Sequence, residues 1–393
     1  MLGSGPSQLV VLLASVLKPV DDTRMRGKFA ETLLSRPNTQ VHVAGRGTQE
    51  NKNGSALEAQ GIYQHPIFSG SRLSLGRLAA QINYWRLLQK VTPSVVIVHA
   101  PELLPLTMLW QRFAAGRKFI YDIRENYALN VSTQRVYQGI TRRWLAAGLR
   151  WVETLAARRA AGIILAEASY AHELPFVQTP APGRVIVLEN KYQAARSEQL
   201  PTQPLMLPLP ENPLQLLFSG TISEINGVWE AIALAEQLHH AWPGGAHLTI
   251  VGFCQQPALL RQLEEKVAQN RPWLTLIGGT EPVPHARIVA AIQESHVGLL
   301  PYRPHPSTER CRPTKLFEYL AHGLPVISSP NCLWQELLQK YRAGLQLDFV
   351  GHADGPALVT QLRSSNFYPL GTPTEVLWAG EGKKLRLLLD SLV

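Results

Sequence analysis

Short apolar runs rich in Val and Ile alternate along the chain with longer stretches of helical period. In the first half the runs are Leu9–Val16, Gln40–Ala44, Val95–His99, Lys118–Asp122, Gly162–Ala166 and Arg184–Leu188. In the second they are Leu214–Ser219, His247–Val251, Leu274–Ile277, Val297–Pro301 and Pro325–Ser328. Continuous apolar runs separated by helices predict parallel strands buried on both faces. Between the halves, Arg196–Pro213 holds five prolines and no periodic apolar pattern, which predicts an extended surface linker. The expected architecture is α/β: two doubly wound, Rossmann-like parallel-sheet domains facing a central cleft, with ligands at the carboxyl ends of the strands. The boundaries read as 1–195, a linker 196–213, a second domain 214–375, and a C-terminal helix 376–393 expected to return to the first domain.

Length and composition narrow the classes. At 393 residues, with 45% hydrophobic and 17% charged positions, the chain suits two globular domains and excludes a disordered protein. Three cysteines, Cys254, Cys311 and Cys332, without a CxxC or a histidine at ligand spacing, indicate neither a disulfide framework nor a zinc site. A reducing cytoplasm is the expected setting. The early apolar run Leu9–Leu17 is shorter than the ~20 residues of a membrane-spanning helix. It also lacks the basic start and small-residue end of a signal peptide and reads as a buried strand. Charge is uneven: residues 1–195 hold 23 Lys/Arg against 12 Asp/Glu, leaving 15 against 17 for the remainder. The first half is therefore expected to face something anionic.

The most informative stretch is Gly298–Pro330, GLLPYRPHPSTERCRPTKLFEYLAHGLPVISSP. Pro313 and Gly323 bracket a helix of about ten residues by their start and stop preferences. On it Leu316, Phe317 and Leu320 share one face, and Lys315, Glu318 and His322 the other. The helix N-terminus beside Arg310, Arg312 and Lys315 suits a diphosphate, and Glu318 could accept both hydroxyls of a ribose. The plainer reading is a solvated polar face.

The segment KLFEYLAHGLPVI resembles the signature of retaining glycosyltransferases of family 4, which have the GT-B fold and bind a nucleotide-sugar donor. By that resemblance Glu318 is the ribose-binding glutamate, and Pro313 and Thr314 line the donor; because two loop charges of the family are absent here, departure of the diphosphate is left to the helix terminus, Arg312 and Lys315. The family's glutamate eight positions earlier is Arg310 here, with Glu309 displaced by one. In LFSGTISEING, Gly220 lets backbone approach a phosphate. The family's Arg and Lys of that loop are Thr221 and Asn226.

Fragments KPVDDTRMRGKF, HAPELLP and DIRENY follow predicted first-domain strands and, with AEASYAHELPF and VLENKY, resemble a subset of family-4-like bacterial sequences. The resemblance makes His99 catalytic and Arg24, Glu102, Arg124, Glu125 and Asn126 contacts on the acceptor side. A helix-capping histidine and a carboxylate placed for a helix dipole are the plainer readings of His99 and Glu102.

Residues 135–159 carry six arginines on an amphipathic helical pattern. Arg142, Arg143, Trp144, Arg150 and Trp151 are membrane-surface candidates, the plainer alternative being an outer helix with its tryptophans packed inward. No nucleic-acid motif accompanies them. The expected function is sugar transfer from a nucleoside diphosphate sugar to a glycan or lipid-linked acceptor, with retention, in cell-surface polysaccharide or glycoconjugate synthesis. The protein would be cytoplasmic or peripheral on the inner face of the membrane. No cofactor is expected, and the resemblance implies that no metal is needed, with which the lack of an Asp-x-Asp in the sequence agrees. A non-catalytic nucleotide-sugar-binding subunit and a GT-B-type epimerase remain alternatives.

Overall fold

The structure is a computed structural model that describes residues 8–47, 61–71, 74–129, 139–178, 183–306, 308–349 and 354–393, with the side chains of 139–142 left aside. The chain divides into two compact units, Met1–Gln193 with Trp378–Val393, and Ala194–Leu377. The proline-rich stretch expected as a linker belongs to the second unit. Leu205 N–H donates to the Gly323 carbonyl at 3.0 Å, and Gly244 N–H donates to that of Pro210 at 2.7 Å, so this stretch is tied down along its length.

The first unit is built on a seven-stranded sheet of order β3-β2-β1-β4-β5-β6-β7. Its strands are β1 (Leu9–Pro19), β2 (Thr39–Arg46), β3 (Ile62–Phe68), β4 (Val95–Val98), β5 (Lys118–Ile123), β6 (Gly162–Leu165) and β7 (Val185–Val187). Each pairing is parallel. β4, Val-Val-Ile-Val, is buried at every position, as a central strand covered on both faces must be. The sequence pattern did not reveal β3. It is an edge strand whose Pro66 and polar Gln64 and His65 break the apolar run.

Helices α2 (Gly76–Val91), α3 (Leu104–Arg112) and α4 (Gly139–Arg159) pack on one face of this sheet through Tyr84, Met108 and Ala156. The other face is covered by α1, a wide helical segment Thr23–Ala30 continuing as Glu31–Leu34, and by the C-terminal helix Trp378–Asp390.

The second unit repeats the plan with six parallel strands in the order β10-β9-β8-β11-β12-β13. They are β8 (Leu214–Ile222), β9 (Ala246–Cys254), β10 (Leu274–Gly279), β11 (Val297–Leu300), β12 (Val326–Ser328) and β13 (Gly344–Gln346). The three-residue edge strand β13 carries too short a pattern to be read from sequence. Helices α5 (Val228–Ala241), α6 (Pro257–Gln269), α7 (His285–Gln293), α8 (Thr314–Ala321), α9 (Cys332–Tyr341) and α10 (Gly355–Ser364) flank this sheet. In each sheet the chain runs outward from the first strand and then returns to its other side. The reversal lies between β1 and β4 in the first unit and between β8 and β11 in the second, where doubly wound folds place ligands.

Candidate functional site

In the second unit the reversal point is built from the loop after β8 and the segment after β11. Gly220 takes φ +91° and Gly227 φ +80°, left-handed values that favour glycine. A Cβ on Gly227 would fall 1.7 Å from the Pro301 carbonyl oxygen, so only a glycine lets this loop close against the end of β11. Between them Asn226 donates its side-chain N–H to the Thr221 carbonyl at 2.8 Å, and its backbone N–H donates to Ser223 Oγ at 3.2 Å. At the two positions where the family resemblance places charges, this chain holds a neutral, self-bonded turn. Gly227 starts α5 without a side-chain cap.

Helix α8 brings the other half. Pro313 precedes its first residue, Thr314, and as a proline supplies no side-chain cap; the positive dipole end of the helix lies here, where an anion is favoured. Gly323, at φ +64°, follows its C-terminus. Ser219 on β8 and Tyr319 on α8 join through their hydroxyls at 2.8 Å, which fixes the helix to the strand.

Lys315 lies along Gly220: a Cβ built there would stand 3.6 Å from Lys315 Nζ. The ammonium sits 4.9 Å from the centre of the Phe218 ring and 5.3 Å from that of Tyr302. Burial pulls its pKa down to about 8, with Glu318 opposing. A charge held in an apolar recess beside bare glycine backbone has more to gain from an anion than one already in water.

Glu318, buried one turn further, receives Nε2 of His285 at 2.6 Å. His285 opens α7 and is itself half exposed. Sequence spacing gave no hint of it, because α7 follows β10 and only the sheet order brings the two helices together.

The remaining predicted donor residues divide. Arg312 is turned to α9, donating to Glu336 Oε2 at 2.7 Å and to the Leu333 carbonyl at 3.4 Å. Glu309 and Arg310 are exposed on the turn before α8, where the Glu309 carbonyl accepts from Asn331 at 2.9 Å. His322, expected on the open face with Lys315 and Glu318, is fully buried, with Nε2 2.9 Å from Glu198 Oε1. The proline-rich stretch supplies Glu198 and covers that end of the helix, so His322 belongs to the interior.

The predicted first-unit residues are largely engaged with one another. Arg24 is only 2% exposed. It donates to both oxygens of Asp122, at 2.9 and 2.7 Å, and to the Leu188 carbonyl at 3.0 Å. Arg24, expected on the acceptor side, is held by these three bonds within the first unit. Asp122 was not singled out in the sequence. Although burial raises a carboxyl pKa, the Arg24 guanidinium outweighs it and holds Asp122 well below the carboxylate range.

His99, buried at the end of β4, places Nδ1 2.7 Å from Asp122 Oδ2. Burial lowers its pKa, so the ring is neutral, with its proton on Nδ1 toward the carboxylate. Nε2 has no hydrogen-bond partner among the described residues. The geometry therefore leaves His99 with one oriented, unused acceptor nitrogen.

Arg124 forms a two-point pair with Asp22 at 2.8 and 3.1 Å. Glu102 pairs with Arg77 at 2.9 Å, Glu125 with Lys18 at 3.4 Å, and Asn126 bonds Glu173 and Arg150. Arg150 also faces Glu153 at 3.6 Å. Trp144, Trp151 and Arg143 are exposed, and the side chain of Arg142 lies outside those described. Among the described residues no group of three or more His, Cys, Asp or Glu could hold a metal ion.

Comparison with known proteins agrees with this architecture. Solved structures that superpose include a lipopolysaccharide outer core galactosyltransferase, WaaB, at TM-score 0.61 and 13% identity, covering 98% of this chain and 99% of that one. HepE of Anabaena, solved with UDP and glucose, has TM-score 0.55 and 12% identity over 98% and 95% of the two chains. A Listeria monocytogenes protein described as a UDP-N-acetylglucosamine 2-epimerase has TM-score 0.59 and 12% identity over 98% and 96%. At such identities the likeness shows the fold. No curated protein matches the sequence. Residues 213–364 match the family described as glycosyl transferases group 1. The second unit is thus similar over residues 213–364 to glycosyl transferases group 1, and the chain has the two-domain GT-B fold.

Proposed function

We propose that the protein transfers a sugar from a nucleoside diphosphate sugar held in the second unit to a glycan or lipid-linked acceptor. The observation that carries this reading is the convergence at the β8–β11 reversal point. There Lys315 Nζ, the bare backbone of Gly220 and the positive dipole end of α8 meet, with Glu318 one turn further in. A diphosphate suits the first three groups, and a ribose diol suits the carboxylate. As the sugar leaves, negative charge builds on the diphosphate, and Lys315 with the α8 N-terminus would stabilise it.

Retention of anomeric configuration and independence of metal follow the family resemblance. The absence of an Asp-x-Asp in the sequence supports the second. The Asp122–His99 pair orients the ring of His99, whose buried Nε2 has no hydrogen-bond partner among the described residues, and His99 remains the proposed catalytic residue of the first unit.

The test is product analysis after incubating the purified protein with a panel of nucleoside diphosphate sugars and glycan or lipid-linked acceptors. A glycoside with released nucleoside diphosphate is the expected product. A free epimerised sugar would assign the epimerase chemistry instead, and tight binding without turnover would assign a non-catalytic subunit.

A further inference from the structure

The first unit carries a surface that the proposed transfer chemistry does not use. Helices α2, α3 and α4 lie side by side on one face of its sheet. Trp85 and Phe113 meet edge to face at 6.0 Å, and Gln111 at the end of α3 reaches the Arg159 carbonyl at the end of α4. The inward side chains of these helices fill the core, and the outward ones include large apolar residues. Leu75, Leu78 and Ile82, at helical spacing, stand in solvent along α2. Leu109 and Phe113 do so on α3. On α4, Trp144 and Trp151 are seven residues apart, hence on one helical face, and are 75% and 67% exposed.

This arrangement reverses the plainer sequence reading, in which the tryptophans of α4 pack inward. Scattered exposed apolar residues need no explanation, but a set shared by three adjacent helices marks an interaction surface.

The charges on the same helices indicate the partner. α2 has three Arg or Lys, α3 has one and α4 has five, against a single carboxylate, Glu153. Glu153 is buried and bonded to Tyr121. Arg86, Arg112 and Arg143 are exposed among the apolar side chains. Arg150, one of the sequence candidates, is turned toward Asn126 and Glu153 and takes no part in this surface. Indole rings beside guanidinium groups, with no exposed acid on the three helices, match the headgroup layer of an anionic bilayer. There the rings sit at the acyl boundary and the cations reach lipid phosphates. No described helix is long and apolar enough to cross a membrane, so contact would be made with the surface.

We propose that the outer face of α2, α3 and α4 docks on an anionic lipid surface, with Trp144 and Trp151 as interfacial anchors and Arg86, Arg112 and Arg143 on lipid phosphates. This stands on the first unit alone and does not depend on the donor assignment.

The experiment is cosedimentation of the full chain with vesicles of phosphatidylcholine, and with vesicles in which about a third of that lipid is replaced by phosphatidylglycerol. Binding should require phosphatidylglycerol and weaken with added salt. It should fall about tenfold or more in Trp144→Ser/Trp151→Ser and in Arg86→Glu/Arg143→Glu, while nucleotide affinity and thermal midpoint stay at wild-type values. Equal partition onto both vesicle types, absence of pelleting, or undiminished binding by both variants would overturn the proposal. So would a stable dimer, seen by sedimentation velocity, that the tryptophan variant dissolves, because a second copy would then be the occupant. Protection of the same residues by single-stranded RNA but not by lipid would assign the surface to nucleic acid instead.

Discussion

Replacing Lys315 by Met should make the ligand-free protein more stable while removing its affinity for a diphosphate. The side chain fits the same recess, but the charge is gone. In the fold, burial holds the ammonium at about 8 against an ordinary 10.5, which corresponds to an upper limit of ~3 kcal/mol for burying the charge. The Phe218 and Tyr302 rings return part of that, at ~0.5–1 kcal/mol each, and partial exposure reduces it further. A net gain of ~1 kcal/mol or somewhat more remains, or ~2–4 °C in melting temperature for a unit of this size.

The sign with pH is fixed by the direction of the shift. A lysine whose pKa is lower in the fold than in the unfolded chain destabilises the fold wherever it is charged in both states. Stability therefore rises as the pH climbs from about 8 toward 10.5. The advantage of Lys315→Met should be full at pH 7 and vanish above that window. Differential scanning fluorimetry across pH, with and without nucleoside diphosphate, reads both effects. Nucleotide binding to wild type should itself weaken about tenfold between pH 7 and 9 as the free ammonium is lost. A variant that is less stable than wild type at pH 7, or that keeps its ligand-induced shift, would refute the reasoning.

Other expectations follow from the same geometry. Asp122→Asn leaves the buried Arg24 guanidinium without its counter-charge and should cost about 3–5 kcal/mol in denaturant unfolding of the first unit. Arg24→Met/Asp122→Leu should recover much of that loss, and a lack of recovery would mean the pair matters through shape alone. Because Asp122 and Asp22 are held below their ordinary 3.8, their contribution is present above that pH and lost as pH falls below it. Asp122→Asn should therefore flatten the acid limb of the stability curve. Gly227→Ala forces a Cβ onto the Pro301 carbonyl and should destabilise the second unit by about 2–4 kcal/mol; an unchanged melting curve would show that the loop yields freely. His285→Ala and Glu318→Ala should be non-additive in nucleotide affinity by about 0.5 kcal/mol or more, as measured by calorimetry on both single variants and the double.

Much of the fold is legible because parallel strands buried on both faces read as largely apolar runs, as in β4, the first half of β1, and the apolar stretches of β5 and β8. Two edge strands escaped, β3 through Pro66 and its polar neighbours and β13 through its length. Helix α8 was readable from Pro313 and Gly323, since start and stop signals are local. Side-chain destinations were less so. Lys315, Glu318 and His322 share a helical face by spacing, yet Glu198, more than a hundred residues away, buries one end of that face. His99 and Arg24 stood out in the sequence, but Asp122, which holds both, did not. It opens the fragment DIRENY, but strand order is what sets it against His99 and Arg24. The tryptophans of α4 show the converse: an amphipathic pattern does not say which of two apolar faces the core will take.

In the proposed function the second unit holds a nucleoside diphosphate sugar through Lys315 and Glu318. Isothermal titration calorimetry of the intact protein against a panel of nucleoside diphosphates and their sugar conjugates tests it most directly. One-to-one binding of at least one conjugate is expected, weakened about tenfold or more by Glu318→Ala. Binding of none of them, or equal affinity in that variant, would contradict it.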